Sequence, residues 1–382
     1  MHDFVFKEII DADIKSELST IGFDSSYIHK ACEKFAYKNI KVFNLSIAQA
    51  NILKQTALTV GADCATHRET ITGRVENTDC ILCGSVSQIK KIAEKLKFQP
   101  FGLKVLGYQL AEYVSDSGGI MTPKIVGILN VTPDSFSDGG LYNDFENAKE
   151  HLLRMIEDGT DIIDIGAEST RPHSNPVNED EQLKKLLPIV EFAKDKIILS
   201  IDTRSAKVAE ECIKAGARII NDVSGLEYDA RMSEVIAKYD VQVVIQHHSG
   251  DTDSMAENHV KTNLADEIFL SLKQKIDKAI RAGIGPENII VDPGIGFGKT
   301  EAQNFELIKR VGELQSLGCL VMLGVSRKSF LDMPDKDNDY KDIFTVVLNA
   351  LALERGVDYL RVHNVKLHRE LLNLMSKFNA VN

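Results

Sequence analysis

Eight short runs rich in Ile and Val recur through the last two-thirds of the sequence, at 125–131, 161–166, 197–203, 218–225, 241–248, 289–297, 320–328 and 359–365. Between them lie segments such as "NAKEHLLRMIEDG", "SAKVAEECIKAG" and "DIFTVVLNALALERG", whose apolar residues fall at helical three- and four-residue spacing. Each strand run is close to continuously apolar, as a strand must be when helices cover its sheet. Eight strand–helix units in series predict an α/β fold closed into a (β/α)8 TIM barrel over residues 119–382. Residues 1–118 lack this rhythm. Helical patterns over Ser46–Val60 and Ser87–Lys97, and a seam "SDSGGIMTP" at 115–123, predict a smaller α+β N-terminal accessory domain.

Composition removes several classes of function. A net charge of −11 leaves no general basic field, so nucleic acid is not an expected partner. No apolar run approaches the roughly 18 to 20 residues that span a bilayer, and "MHDFVFKEIIDADIKSE" is too acidic for a signal peptide. A cytoplasmic protein with no membrane partner is expected. Six cysteines in 382 residues do not make a disulfide framework. Cys64, His67, Cys80 and Cys83 stand in an order that a tetrahedral zinc site could use. The favoured reading of "DCILCGSVSQ" is a short strand and turn whose apolar residues meet a core.

In such a barrel the C-terminal strand ends carry the active site. Polar residues gather there: Asn130, Asp164, Asp202, Asn221 with Asp222, His247, Asp292, then Arg327, Lys328 and Ser329, and finally Arg361 and His363. One Asp at a strand end is usually a helix cap; polar groups after all eight runs describe a pocket. Carboxylates and an amide in the middle strands suit a flat heterocycle with adjacent N–H donors. Arg361 and His363, with Asn130 opposite, suit a phosphate or pyrophosphate, and an Asn oxygen beside polyphosphate is a reasonable ligand for Mg2+. The small polar residues of "GILNVTPDSFSDGG" then read as a loop that closes over substrate. The chemistry implied is displacement at a group carrying pyrophosphate. "DPGIGFGKT" is a decoy: a Walker loop would need Gly where Pro293 stands, and Lys299 reads as a salt bridge on a turn.

"GILNVTPDSFSDGG", "DIGAESTRP", "SIDT", "NDVSG", "DPGIGFGKT", "GVSRKS" and "RVHNV" occur in the order in which the dihydropteroate synthase family carries such motifs. The chain resembles that family over about residues 121–375, as a longer member with an N-terminal extension. The resemblance implies condensation of 6-hydroxymethyl-7,8-dihydropterin pyrophosphate with p-aminobenzoate, releasing pyrophosphate and forming 7,8-dihydropteroate in folate biosynthesis. It implies pterin binding by Asp202, Asn221, Asp292 and Lys328, with Gln246 on the same floor. It implies that Asn130, Arg361 and His363 hold pyrophosphate, with Mg2+ on Asn130, and that Thr170, Arg171, Pro172 and Ser329 face p-aminobenzoate. Asp202, Lys328 and Asn130 become the expected catalytic groups, and a homodimer the expected assembly.

Three departures from the family pattern stand out. "VIQHHSG" has Gln246 where a Met commonly packs on the pterin, "RVHN" has Asn364 for Asp, and "GAEST" has Ala167 for Gly. Two alternatives compete: a pterin-dependent methyltransferase, which has no need of "STRP" and "SRKS", and a non-catalytic pterin-binding protein, which predicts damage in loops that are intact here.

Overall fold

The inside of a barrel strand is read by every second residue, and in this chain that period sorts apolar from polar within one step. Val126, Ile162, Ile219, Val244, Ile290, Met322 and Tyr359, from seven strands, form one buried apolar cluster. Two residues further along the same strands stand Ile128, Asp164, Asn221, Gln246, Asp292, Gly324 and Arg361. The apolar plug closes the barrel below and the next layer makes a polar floor above it.

The structure is a computed structural model that describes residues 7, 9, 14–115, 122–131, 140–168, 177–248, 263–332 and 338–380. It divides into two compact units, Met1–Ile120 with Ala380–Asn382, and Met121–Asn379. In the first, strands β1 (Tyr37–Ser46), β2 (Asp63–Ala65) and β3 (Asn77–Ser85) form a sheet of order β1-β3-β2, antiparallel at both junctions. Ser46 and Ser85 end two of these strands, and each begins a helix, Ile47–Leu58 and Val86–Leu96, through a capping box completed by Gln49 and Gln88. That reciprocal pairing satisfies otherwise unpaired N–H groups and fixes where strand gives way to helix. The helices lay Leu53, Ile89, Ile92 and Leu96 on Leu82 and Cys80 of the sheet. The α+β expectation for this region holds.

The second unit is a closed eight-stranded parallel barrel. Its strands are β4 (Lys124–Asn130), β5 (Ile162–Gly166), β6 (Ile198–Asp202), β7 (Ile219–Asp222), β8 (Gln242–Gln246), β9 (Ile289–Asp292), β10 (Leu320–Leu323) and β11 (Tyr359–Val362). A helix follows each strand, and Leu152, Leu186, Val190 and Leu272 bury against the outward-facing Ile and Val of the sheet. The TIM barrel inferred from alternation is present. Among the described residues no helix is long and apolar enough to cross a membrane.

Three strand ends differ in detail from the sequence reading. β5 runs to Gly166, so Asp164 lies inside the strand rather than at its tip. β8 ends at Gln246 and β11 at Val362, which leaves His247 and His363 just beyond.

The two units have separate cores, so they should respond separately to damage. Leu53→Ala in the first and Ile163→Ala in the second each remove a fully buried side chain, at a cost of about 2–5 kcal/mol. Chemical denaturation followed by two probes, one per unit, should show each variant shifting one transition and sparing the other; coincident shifts of both would contradict separate cores.

Candidate active site

A cavity of about 370 Å³, counting its open mouth, sits on the polar floor. Asp202, Asn221, Gln246, Asp292, Lys328 and Arg361 line it with Ile128, Val223, Ile295, Phe297, Gly324 and Ser326. All five residues expected on the pterin side are therefore brought together. The strand ladder explains how: Asp202 pairs in register with Asn221, and Gln246 with Asp292, so side chains of neighbouring strands face inward together.

Charge on this floor is arranged around Arg361. Its Nε donates to Asp164 Oδ2 at 2.7 Å and its Nη2 to Asp202 Oδ2 at 2.9 Å. Asp164 also accepts from Ser200 Oγ at 2.6 Å and Asn221 Nδ2 at 3.0 Å. Asp164 was read in the sequence as a strand end and given no task. It is the anchor of the floor. The signal that finds it is its inward phase, two residues after Ile162 of the apolar plug.

Burial dominates the acid–base behaviour. Desolvation pushes Asp202 up to about 7, against the opposing pull of the Arg361 guanidinium. Asp292 is raised by burial too, although Gly294 N–H donates to its Oδ1 at 2.7 Å. Burial, and then the neighbouring Arg361, lower Lys328 to about 8. Lys328 Nζ lies 4.0 Å from the centre of the Phe297 ring, so the cation is held over an aromatic face. Gly294 has φ +69°, and a Cβ there would come within 2.0 Å of the His247 backbone oxygen, so only glycine lets this turn pass under the end of β8.

His363 follows β11 directly, with Arg327 and Arg361 close by. Burial, with Arg327 and Arg361 nearby, lowers His363 to about 3. It is a neutral imidazole whose Nδ1 lies 2.9 Å from Ser326 Oγ. Asn130 is exposed at the tip of β4. Its Oδ1 and the Asp202 side chain both flank Gly166, within 3.7 Å and 3.4 Å of where a Gly166 Cβ would stand. Ser329 is exposed at the start of the turn Ser329–Leu331. Thr170, Arg171 and Pro172, and the loop residues 132–139, lie outside the described residues.

Three other sequence features can be placed in the fold. Asn364 donates through Nδ2 to Asp342 Oδ2 at 3.1 Å, and Arg327 grips the same carboxylate with two bonds of 2.8 Å. An Asp at 364 would set a second carboxylate against Asp342, so the amide is the group that fits. Lys299 spans the turn after β9, donating to Gly294 O at 2.8 Å and Phe297 O at 3.2 Å, rather than acting only as a surface ion pair. Cys64, His67, Cys80 and Cys83 lie on or beside β2 and β3. Cys64 and Cys80 are buried in the core, Cys83 Sγ points to Asp63 O at 3.5 Å, and His67 Nδ1 accepts from Glu69 N–H. Among the described residues no three His, Cys, Asp or Glu side chains are grouped as metal ligands.

The sequence profile of the pterin binding enzymes matches residues 126–363, the whole span that supplies this floor. The chain belongs to the pterin-binding enzyme family. It is similar to dihydropteroate synthases. The one from Clostridium beijerinckii is 43% identical over 247 residues, which cover 63% of this chain and 88% of that one. The solved dihydropteroate synthase of Clostridium difficile, determined in the presence of pteroic acid, superposes with a TM-score of 0.63 at 38% identity, covering 67% of this chain and 97% of that one. A probable bifunctional folylpolyglutamate synthase/dihydropteroate synthase of Halobacterium salinarum is 38% identical over 327 residues, or 83% of this chain. That match is longer than the barrel unit, so part of the N-terminal region is shared with it. The chain spans only 40% of the length of that relative.

For this pterin-binding enzyme the raised Asp202 has a stability signature. Folded, Asp202 keeps its proton up to about 7, whereas unfolded it loses it near 3.8. The folded state therefore binds more protons across that window, and the Asp202 contribution to stability is lost as pH rises through it. Asp202→Asn removes the effect. The difference in Tm between variant and parent should move in favour of the variant from about pH 4 to 7; a constant difference would contradict a buried, protonated Asp202.

Proposed function

We propose that this pterin-binding enzyme is a dihydropteroate synthase, joining 6-hydroxymethyl-7,8-dihydropterin pyrophosphate to p-aminobenzoate with release of pyrophosphate. The observation that carries the reading is the convergence of Asp202, Asn221, Gln246, Asp292 and Lys328 on one closed floor beside Arg361. A bicyclic heterocycle with ring N–H groups meets two carboxylates there, and its ring acceptors meet a lysine and an amide.

Arg361 is the link between ring and leaving group. Two of its five N–H donors are spent on Asp164 and Asp202, which fix the guanidinium plane and leave three donors for an anion. His363, neutral and tied to Ser326 through Nδ1, contributes as a hydrogen-bond donor from Nε2 rather than as a charge. Asn130 fits Mg2+ as the single protein oxygen that such an ion needs when phosphate oxygens and water complete its shell. The ion supplies neutralisation of the pyrophosphate charge. As the bond to the leaving oxygen lengthens, positive charge spreads into the dihydropterin, where an ionised Asp202 stabilises it. The arylamine nitrogen then attacks the exposed methylene and loses its proton to solvent. No protein nucleophile takes part. Ser329, with Thr170, Arg171 and Pro172, completes the p-aminobenzoate side in this proposal.

The same reading covers assembly and setting. Tyr340, Ile343, Val347 and Leu351 expose one apolar stripe on the helix Asn338–Leu353, and the helix Val365–Asn379 that packs against it exposes Leu374 and Phe378. A face of this kind suits an isologous homodimer. Six free thiols suit a reducing cytoplasm.

Calorimetry tests the order of events. Protein loaded with pterin, pyrophosphate and Mg2+ should bind p-aminobenzoate, while protein alone should give no measurable heat; tight binding of p-aminobenzoate to the free protein would contradict a slot assembled by the first ligand. The pH profile gives a second test. With Asp202 required ionised and Lys328 protonated, kcat/KM should rise as pH passes about 7 and fall beyond about 8. A flat profile from pH 6 to 9 would remove both groups from the mechanism.

A further inference from the structure

Among the described residues that line the floor, Gln246 carries a buried side-chain donor that the fold leaves unpaired. It is 5% exposed, and its amide nitrogen Nε2 is buried with no acceptor among the described residues. The backbone at the same position is fixed, because Lys275 Nζ donates to Gln246 O at 3.4 Å. The neighbouring polar groups are committed otherwise. Asn221 donates its amide to Asp164, and Asp292 Oδ1 accepts from Gly294 N–H.

A buried N–H without an acceptor costs the folded protein stability. A side chain of the same volume without polar atoms, such as Met, would fill the position at no such cost. A local rule broken in the wall of a cavity points to a ligand that supplies the missing partner. The ladder says which ligand chemistry. Gln246 pairs in register with Asp292 on the adjacent strand, and both line the cavity. A hydrogen-bond donor thus stands beside a carboxylate acceptor, the complement of a ring edge that carries a C=O next to an N–H.

We propose that Gln246 is a specificity-determining residue whose carboxamide N–H donates to a ring acceptor of the bound pterin, beside the carboxylate of Asp292. The inference rests on the reading that this cavity takes a pterin, and it adds a polar contact where Met would offer only packing. It also has two consequences of opposite sign. Removing the amide relieves an unmade bond in the free protein and deletes a made bond in the complex.

The test compares the parent with Gln246→Met and Gln246→Glu, using 6-hydroxymethyl-7,8-dihydropterin in calorimetry and a thermal melt of each free protein. Gln246→Met should melt higher than the parent yet bind the pterin about tenfold more weakly, as loss of one hydrogen bond implies. In turnover, KM for the pterin substrate should rise by the same factor while kcat and KM for p-aminobenzoate stay within about twofold. Gln246→Glu keeps the shape, loses the donor and sets a carboxylate beside Asp292, so it should bind at least as weakly. Undiminished pterin binding by Gln246→Met overturns the inference and leaves the proposed function intact. So does weaker binding accompanied by a lower melt, which marks a structural role. Failure of the parent itself to bind the pterin overturns the functional reading on which the inference stands.

Discussion

The ion pair between Arg361 on β11 and Asp164 on β5 is the constraint on which the rest of the site depends. Both ends are inside the barrel, and a charge buried there without its partner costs several kcal/mol. The pair is therefore an obligation that other groups must complete: Ser200 and Asn221 also donate to Asp164, and Asp202 takes a second guanidinium bond. Once these are in place the positions of Asp202 and Asn221 at the floor follow. Their orientation is set by a network whose anchor, Asp164, is not among the residues lining the cavity.

The network also leaves Asp202 poised. Its carboxyl is too deeply buried to ionise at ordinary acidity and too close to Arg361 to stay protonated above neutrality. An anion that draws on the other donors of Arg361, and a cation that develops in the ring beside it, each act on this balance. In the proposed reaction, leaving group and ring are linked through one arginine and one aspartate on strands that are not neighbours.

Much of this was legible in the sequence. Alternation of apolar runs with amphipathic segments is a property of composition and spacing, so the barrel and its eight strand positions could be read directly. Polar residues after each run located the floor. What the sequence hid depends on phase and depth. Asp164 looks like a strand-end cap until the register turns it inward, and the groups that lower the His363 pKa, Arg327 and Arg361, come beside it only in the fold. The amide of Asn364 looked like a lost charge, but Asp342, supplied by a helix more than twenty residues earlier, makes a charge there unfavourable. Gln246 was visible as a departure, yet only the packed floor reveals that its N–H has no partner among the described residues. The N-terminal unit was predicted as α+β from its helices, and the two Ser–x–x–Gln capping boxes that set its strand–helix junctions are present in the sequence. Nothing in its residues speaks to chemistry.

A synthase differs from a protein that merely holds a pterin by carrying out a displacement on it. The most direct measurement is turnover of the purified full chain with 6-hydroxymethyl-7,8-dihydropterin pyrophosphate, p-aminobenzoate and Mg2+, following 7,8-dihydropteroate and free pyrophosphate together. Both products should appear in equal amounts, and Asp202→Asn should slow their formation about a hundredfold, the loss of one transition-state contact of about 3 kcal/mol. Protein that binds the pterin substrate but forms neither product would contradict the proposed displacement.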